Sequence, residues 1–389
     1  METRARSGTG DAGARDPKAI VTRSVGIVAE MIPDSVSCPT IVHGDALDTM
    51  RAMPDASVNL IVTDPPYFRV KGEAWDRQWD DVASFLDWMR LLALEWRRIL
   101  VPNGSLYVFA SPRMAARVEC LIAEQFAVLN HIVWAKPGGT WAAVYGEDRF
   151  RTYVEKSERV IFAEHIGVET MAMGDAGYEA QCERLRGEVF EPLRAYLADT
   201  WTGAGLSAAD LNSATGSQMA GHYLTTVQWA LPTADRYALM QAACPALERP
   251  WSSLRAECDT LQAEFTARRR VFEDLRRPFT VSSDVPYTDV WTYPVVQGYP
   301  GKHPCEKPRE MLADIIGASS RPGDVVADFF LGSGVSGEQA VRLGRRFIGV
   351  EKGDYVHAAR RRIADAVCDP AFAKMVNAEA PVGAQLSML

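Results

Sequence analysis

The sequence predicts an α/β fold on three observations. Strand and helix segments alternate from Pro39 to about residue 165, and the alternation returns from Lys307. In the second stretch a glycine turn, Gly332-Ser333-Gly334-Val335-Ser336-Gly337, joins a strand to a helix. Between them, at about 166 to 279, the strand signal fades into helices broken by polar turns. The chain has 389 residues, 47% hydrophobic and 24% charged, with a formal net charge of −8. That is globular composition, long enough for two to three units of roughly 150 residues, and it excludes collagen-like, disordered and mini-protein classes.

No apolar run approaches the roughly 18 residues that cross a bilayer, and METRARSGTGDAGARD has no apolar signal segment, so a cytoplasmic location is expected. The 7 cysteines contain no C-x-x-C pair and are odd in number, which fits reduced thiols. The 6 histidines are dispersed without zinc spacing, and no metal is expected. The sequence pI near 5.4 speaks against nucleic-acid binding unless a basic face is local.

Residues 1–35 have no apolar period and read as a flexible lead-in. TIVHG is a strand, LDTMRAM a helix, and SVNLIVT a strand ending at Asp64-Pro65-Pro66-Tyr67. Phe85, Trp88, Leu92, Trp96 and Ile99 recur at helical spacing, and Pro102-Asn103-Gly104 stops that helix before the strand SLYVFA. A helix at 112–124 and the strands FAVLNHIVWA and RVIFAEH complete this half, 36–165. In the helical region, 166–280, LSAADLNSATGSQMAGHYLTT has helix-turn-helix spacing about Gly216, which an ordinary helical hairpin shares. Residues 251–277 read as one long helix whose nearly balanced charges mark a solvated face. In the last half, 281–370, a helix from Lys307, the strand VVADFF, a helix to Leu343, the strand RFIGVE and a helix from Asp354 follow in order, before a tail at 371–389.

Two constellations carry chemistry. The glycine turn opens a helix, and an acid, Glu351, stands about 20 residues downstream at the end of the next strand, where it can hold ribose hydroxyls. A nucleoside-type cofactor follows, although a packing turn or a nicotinamide site would share the pattern. Such a turn normally opens its fold; lying late in the chain, it implies a circularly permuted order of halves. The second is Asp64-Pro65-Pro66-Tyr67, a stiff loop that presents a carboxylate, peptide carbonyls and a ring at a strand's C-terminal end. An exocyclic amine fits it: the Asp64 carboxylate and Pro65 carbonyl accept its two N–H groups while Tyr67 stacks on the base. A plain Asp-Pro-Pro turn is the alternative. Trp75 and Trp79 are expected to pack against a core rather than stack on bases.

In that order, Asp64-Pro65-Pro66-Tyr67, then His303-Pro304-Cys305-Glu306-Lys307-Pro308, then Asp328-Phe329-Phe330-Leu331-Gly332-Ser333-Gly334 and Gly349-Val350-Glu351, the chain resembles the beta-class amino-group DNA methyltransferases, of the adenine-N6 type. The resemblance implies a class I S-adenosylmethionine-dependent methyltransferase fold with a Rossmann-like mixed sheet, circularly permuted, with a helical target-recognition insertion. It implies S-adenosylmethionine as cofactor, with Asp45, Asp64, His303, Lys307, Asp328, Phe330, Gly332, Ser333, Gly334 and Glu351 around it and Asp64, Pro65, Pro66 and Tyr67 as the catalytic residues. Cys305 and Glu306 depart from the family's H-P-T-Q-K-P stretch. A solvated surface role is the alternative for Asp45. The implied activity is methylation of the N6 amine of a flipped adenine in double-stranded DNA, in a homodimer. The helix-turn-helix spacing, not the resemblance, offers Gln218, His222 and Tyr223 for reading sequence in a major groove. Cytosine N4 as target, a nicotinamide-dependent oxidoreductase and a catalytically silent DNA-binding regulator are the rivals.

Overall fold

In the computed structural model, residues 31–137, 153–167, 177–226, 228–281 and 288–369 are described. The expected lead-in up to residue 30 and the tail at 371–389 lie outside the described residues. Packing begins before residue 36, because Met31 is buried and the Pro33 carbonyl accepts from Arg346.

The chain divides into two compact units, Gly167–Arg277 and the rest. In the larger unit the chain runs β1 (Thr40–His43), α1 (Ala46–Ala52), β2 (Val58–Thr63), α2 (Val82–Ile99), β3 (Leu100–Ala110), α3 (Ala115–Ala123), β4 (Phe126–Ala135) and β5 (Ser157–His165). After the helical unit it resumes as β6 (Val290–Trp291), α9 (Arg309–Ser319), β7 (Val325–Asp328), α10 (Val335–Arg342), β8 (Arg346–Glu351) and α11 (Val356–Val367). The strands form one mixed sheet in the order β1-β8-β7-β2-β3-β5-β4-β6. From β1 to β3 the pairs are parallel, and β5 runs against both β3 and β4. One apolar layer packs α1 to α3 on the sheet and a second packs α9 to α11 on its other face. Strands buried on both faces need no polar side, which is why β2 and β7 read as continuous apolar runs.

Local chemistry sets the helix limits. Asp81 caps α2 through a reciprocal capping box with Ser84, and Phe85, Met89, Leu92, Trp96 and Ile99 form its buried stripe. The Pro-Asn-Gly break lies inside β3, which starts directly after α2 rather than at Ser105. The register with β2 shifts between Val58 and Leu60, and a Cβ on Gly104 would stand 2.8 Å from the Asn59 carbonyl oxygen, so the strand bulges where only glycine fits.

The smaller unit consists of α4 (Gly177–Gly203), α5 (Ala208–Thr215), α6 (Ala220–Leu224), α7 (Ala234–Ala243) and α8 (Trp251–Leu275) around Leu193, Leu197, Trp201, Tyr237 and Leu254. The helix pair about Gly216 is present, with Gly216 left-handed at φ 61° ending α5. α6 spans only 5 residues, roughly 7.5 Å, too short to run along a major groove as a recognition helix. Tyr223 is 2% exposed and its hydroxyl accepts from Arg236, so this residue belongs to the unit's core and not to a base-reading surface. Gln218 is exposed and His222 half-buried. On α8 only Leu254 and Phe265 are buried, and ion pairs such as Arg255 with Asp259 cover the solvated face.

All 7 cysteines carry free thiols. Among the described residues no helix is long and apolar enough to cross a membrane, and no group of three or more His, Cys, Asp and Glu could hold a metal ion.

Candidate active site

The parallel strands β1, β8, β7 and β2 end at one edge of the sheet, and ligands of open α/β sheets bind at such an edge. Each end contributes an acid or a turn. Gly44-Asp45 follows β1, Glu351 ends β8, Asp328 ends β7 and Asp64 follows β2. They surround a cavity of about 430 Å³, completed by His303, Lys307 and the turn residues Phe330–Ser333. That volume suits a small molecule.

The glycine turn is shaped by its neighbours. Gly332 and Gly334 have φ of +52° and +81°, and the turn is tied to β8 where Leu331 N–H donates to the Val350 carbonyl. A Cβ on Gly334 would lie 2.8 Å from Ala359 Cα, and one on Gly332 would lie 3.2 Å from the His303 ring. Gly337 has a different duty, since its missing side chain makes room for Phe347 and Ile363. Glu351 Oε2 accepts from Gly332 N–H at 2.8 Å and Oε1 from Gly353 N–H at 2.6 Å, so the carboxylate is aimed while each oxygen keeps a lone pair. Gly334→Ala therefore combines left-handed strain with a clash against α11. We expect a loss of about 2–4 kcal/mol in denaturant unfolding, with Ser333→Ala close to wild type.

Asp328 takes part in the turn as much as in the cavity. It accepts from Thr63 Oγ1 at 3.3 Å, Phe330 N–H at 3.1 Å and Ser336 Oγ at 2.6 Å, and burial, only partly offset by these donors, pushes its carboxyl up to about 7. Asp45 is the N-cap of α1, accepting from Leu47 N–H at 3.0 Å, and pairs with Lys352 at 3.2 Å. His303 stands edge-on to Tyr355 at 4.5 Å between ring centroids and roughly parallel to Trp75 at 6.4 Å. Burial, reinforced by the Lys307 charge, lowers its imidazole from 6.5 to about 4. Because the unfolded chain takes up that proton near pH 6.5 and the folded one near 4, stability is full above 6.5 and is lost as the pH falls through this window, at up to about 1.4 kcal/mol per pH unit. Unfolding measured at pH 7.5 and 5 is expected to show a steeper loss for wild type than for His303→Gln.

The Asp64 end is a buried chain of charges. Lys307, 7% exposed, donates to Asp64 Oδ2, donates to the Cys305 carbonyl at 3.3 Å, and stands 3.3 Å from Glu158 Oε2. Glu158 also accepts from Lys136, and at 2.9 Å from the Tyr67 hydroxyl. Burial raises the Asp64 carboxyl against the pull of Lys307. Burial would raise Glu158 as well, but Lys307 and Lys136 outweigh it and hold that carboxyl at about 2. The Lys307 ammonium, which burial alone would discharge, is kept charged by Asp64 and Glu158. Asp64 Oδ1 is buried and has no hydrogen-bond partner.

The loop after the motif is fixed from beneath. Asp76, 0% exposed, accepts from the N–H groups of Tyr67 at 2.8 Å and Lys71, and Phe68 and Arg69 take positive φ of 65° and 58° to close around it. The two tryptophans part company here. Trp79 packs against Phe85 and Trp88 as the sequence predicts, with centroids 5.0 and 4.6 Å away, whereas Trp75 departs from that expectation and lines the cavity. The structure thus gathers Asp45, Asp64 to Tyr67, His303, Lys307, Asp328, Phe330, Gly332, Ser333 and Glu351 around one cavity, and sets Gly334 directly behind it as the N-cap of α10. Gln218, His222 and Tyr223 lie in the helical unit. Sequence reasoning missed Glu158, Lys136 and Asp76, and assigned Trp75 to packing instead of the cavity. The available signal for Glu158 is its place on one face of β5 with Val160 and Phe162, an acid where the alternation calls for an apolar side chain.

Comparison with known proteins gives four results. A family model described as DNA methylase, of the N6/N4 type, matches residues 58–361. The DNA adenine methyltransferase YhdJ of Escherichia coli (strain K12) is 26% identical over 339 residues, 83% of this chain and 82% of that protein. The Type II methyltransferase M2.DpnII of Streptococcus pneumoniae is 47% identical over 79 residues, 19% of this chain and 30% of that protein. Among solved structures, the cytosine-N4-specific PvuII DNA methyltransferase is similar at a TM-score of 0.45 and 14% identity, over 90% of this chain and 97% of that one.

Proposed function

The chain belongs to the N6/N4 DNA methylase family, and from that premise we propose that it transfers a methyl group from S-adenosylmethionine to the N6 amine of adenine in double-stranded DNA, the base its Escherichia coli relative is named for. The observation that carries this reading is Asp64 Oδ1, a buried carboxylate oxygen with no partner beside a cavity ringed by a glycine turn and an acid. A buried acceptor left open is costly and asks for a donor from outside the chain.

The cavity fits the cofactor. Left-handed glycines bring backbone close to whatever occupies it, Glu351 keeps lone pairs for ribose hydroxyls, and Phe330 with Trp88 offers apolar rings 5.7 Å apart. Phe330, Gly332, Ser333 and Glu351 would hold it, with Asp45, His303 and Asp328 at the margins. When bound it supplies a methyl group on a sulfonium, an electrophile that needs no metal assistance.

The chain's own residues do the rest. Asp64 Oδ1 and the Pro65 carbonyl accept the two N–H groups of the amine, which turns the nitrogen lone pair out of conjugation with the ring. The carboxyl that burial has raised is also the better proton acceptor once the nitrogen carries its new substituent. The Tyr67 ring, fixed at its N–H and at its hydroxyl, offers a flat face that repays part of the few kcal/mol needed to flip the base. Catalysis is then chiefly alignment.

The proposal extends to a circularly permuted order of halves, with 36–165 as the catalytic half, 281–370 as the cofactor half, and sequence reading by the helical region 166–280, where Gln218 and His222 are the polar candidates. It also includes a homodimer in the cytoplasm, on the family resemblance. Base-modification sequencing of DNA from cells expressing the wild type or Asp64→Ala tests it. Methyl-adenine within one short sequence, only with the wild type, supports the proposal; methyl found solely on cytosine N4 overturns it.

A further inference from the structure

Glu158 belongs to neither sequence motif, yet two essential groups of the cavity meet on it. It sits near the start of β5 with its side chain 14% exposed. One oxygen accepts from the Tyr67 hydroxyl at 2.9 Å and lies 3.3 Å from the Lys307 ammonium, and the other accepts from Lys136. Charge alternates along Asp64, Lys307, Glu158 and Lys136, so each buried ion has an opposite neighbour.

Burying a carboxylate is expensive, and a neutral amide could accept from Tyr67 equally well. What an amide could not do is compete for Lys307. With Glu158 charged, the ammonium is drawn between two carboxylates, touching Asp64 through Oδ2 and leaving Oδ1 open. Without that pull the ammonium is free to settle across both oxygens of Asp64, where it would occupy the acceptor the target amine needs.

Resting on the methyl-transfer reading of the cavity, we infer that Glu158 is a positioning residue, which orients the Tyr67 ring through its hydroxyl and holds Lys307 back so that Asp64 Oδ1 stays available. It acts through these two side chains and does not itself reach the reacting atoms.

Single-turnover methylation of adenine-containing duplex DNA, with cofactor affinity by calorimetry and thermal unfolding alongside, tests this on wild type, Glu158→Gln, Tyr67→Phe and the double variant. Glu158→Gln is expected to slow the chemical step about 10- to 100-fold while cofactor affinity stays within about twofold. Because the amide of Glu158→Gln still accepts from the Tyr67 hydroxyl, its loss comes through Lys307, whereas Tyr67→Phe removes the hydroxyl contact, and the two losses are expected to multiply in the double variant. A wild-type rate for Glu158→Gln overturns the inference, as does a double variant no slower than Glu158→Gln alone, or an activity loss matched by a parallel loss of cofactor affinity or of folded protein. A wild-type protein that methylates no DNA base, with Asp64→Ala equally inert, would instead remove the reading beneath it.

Discussion

Asp64→Ala is expected to lower the single-turnover rate of methyl transfer by about 10³-fold while S-adenosylmethionine still binds within about 10-fold of wild type. The size follows from what the carboxylate does. It is the charged acceptor for an amine whose nitrogen gains positive character as the bond forms, in a site screened from water, where such a contact is worth several kcal/mol. The clean separation from binding follows from the neighbours. When Asp64 is truncated, Lys307 keeps Glu158 at 3.3 Å and the Cys305 carbonyl at 3.3 Å, so no buried cation is stranded and the cavity retains its shape. The glycine turn and Glu351, on β7 to β8, do not contact Asp64 through any hydrogen bond of their own. Calorimetry with cofactor and a rapid-quench assay on the same preparation check the two halves of the prediction. A variant as fast as wild type would take Asp64 out of the reaction.

The parts of this molecule that were legible in the sequence are those whose cause is local. β2 and β7 are covered on both faces, so their residues read as apolar runs, and the Asp64 and Gly332 turns directly follow them in the chain. The helix α2 announced itself through its three-and-four spacing. What could not be read has non-local causes. β3 continues through Pro-Asn-Gly because β2 beside it tolerates a register shift, and β6 exists only because Asp289 to Trp291 lie along β4. Asp76 looks like an ordinary surface acid until the fold brings the Tyr67 N–H onto it, and Glu158, the odd acid in the β5 alternation, has its Tyr67 partner 91 positions away. The Lys307 contact with Asp64 spans 243 positions and joins the two chain halves, so no window of sequence contains it. Tyr223 fails in the opposite sense, since a helical-hairpin pattern does not say which face turns inward.

That long-range lysine carries the second large effect. Lys307→Met keeps the length of the side chain but leaves Asp64 and Glu158 buried a short way apart with only Lys136 for charge. Breaking a buried ion pair from one side costs about 3–5 kcal/mol, far more than the pair contributes when intact. The loss should depend on pH in a definite direction. Asp64 already has its carboxyl raised by burial, and Lys307 is the main force opposing that rise; Glu158 is held at about 2 largely by the same ammonium. Without it both carboxyls move up. A carboxyl raised in the folded state contributes its stability below its unfolded value, near 4, and loses it as the pH climbs through the raised folded value. The contribution Glu158 makes in the wild type, present above about 4.5 and lost only as the pH falls through about 2, disappears as well. Relative to wild type, Lys307→Met is therefore expected to be most destabilised at pH 8 and least at pH 5, the reverse of ordinary acid sensitivity. Residual methyl transfer should follow the same logic, because the reaction needs Asp64 ionised: the acid limb of the rate profile shifts to higher pH. Denaturant unfolding at pH 5 and 8, paired with single-turnover rates across that range, measures both. A destabilisation equal at the two pH values would mean that the ammonium of Lys307 does not set the charge state of this site.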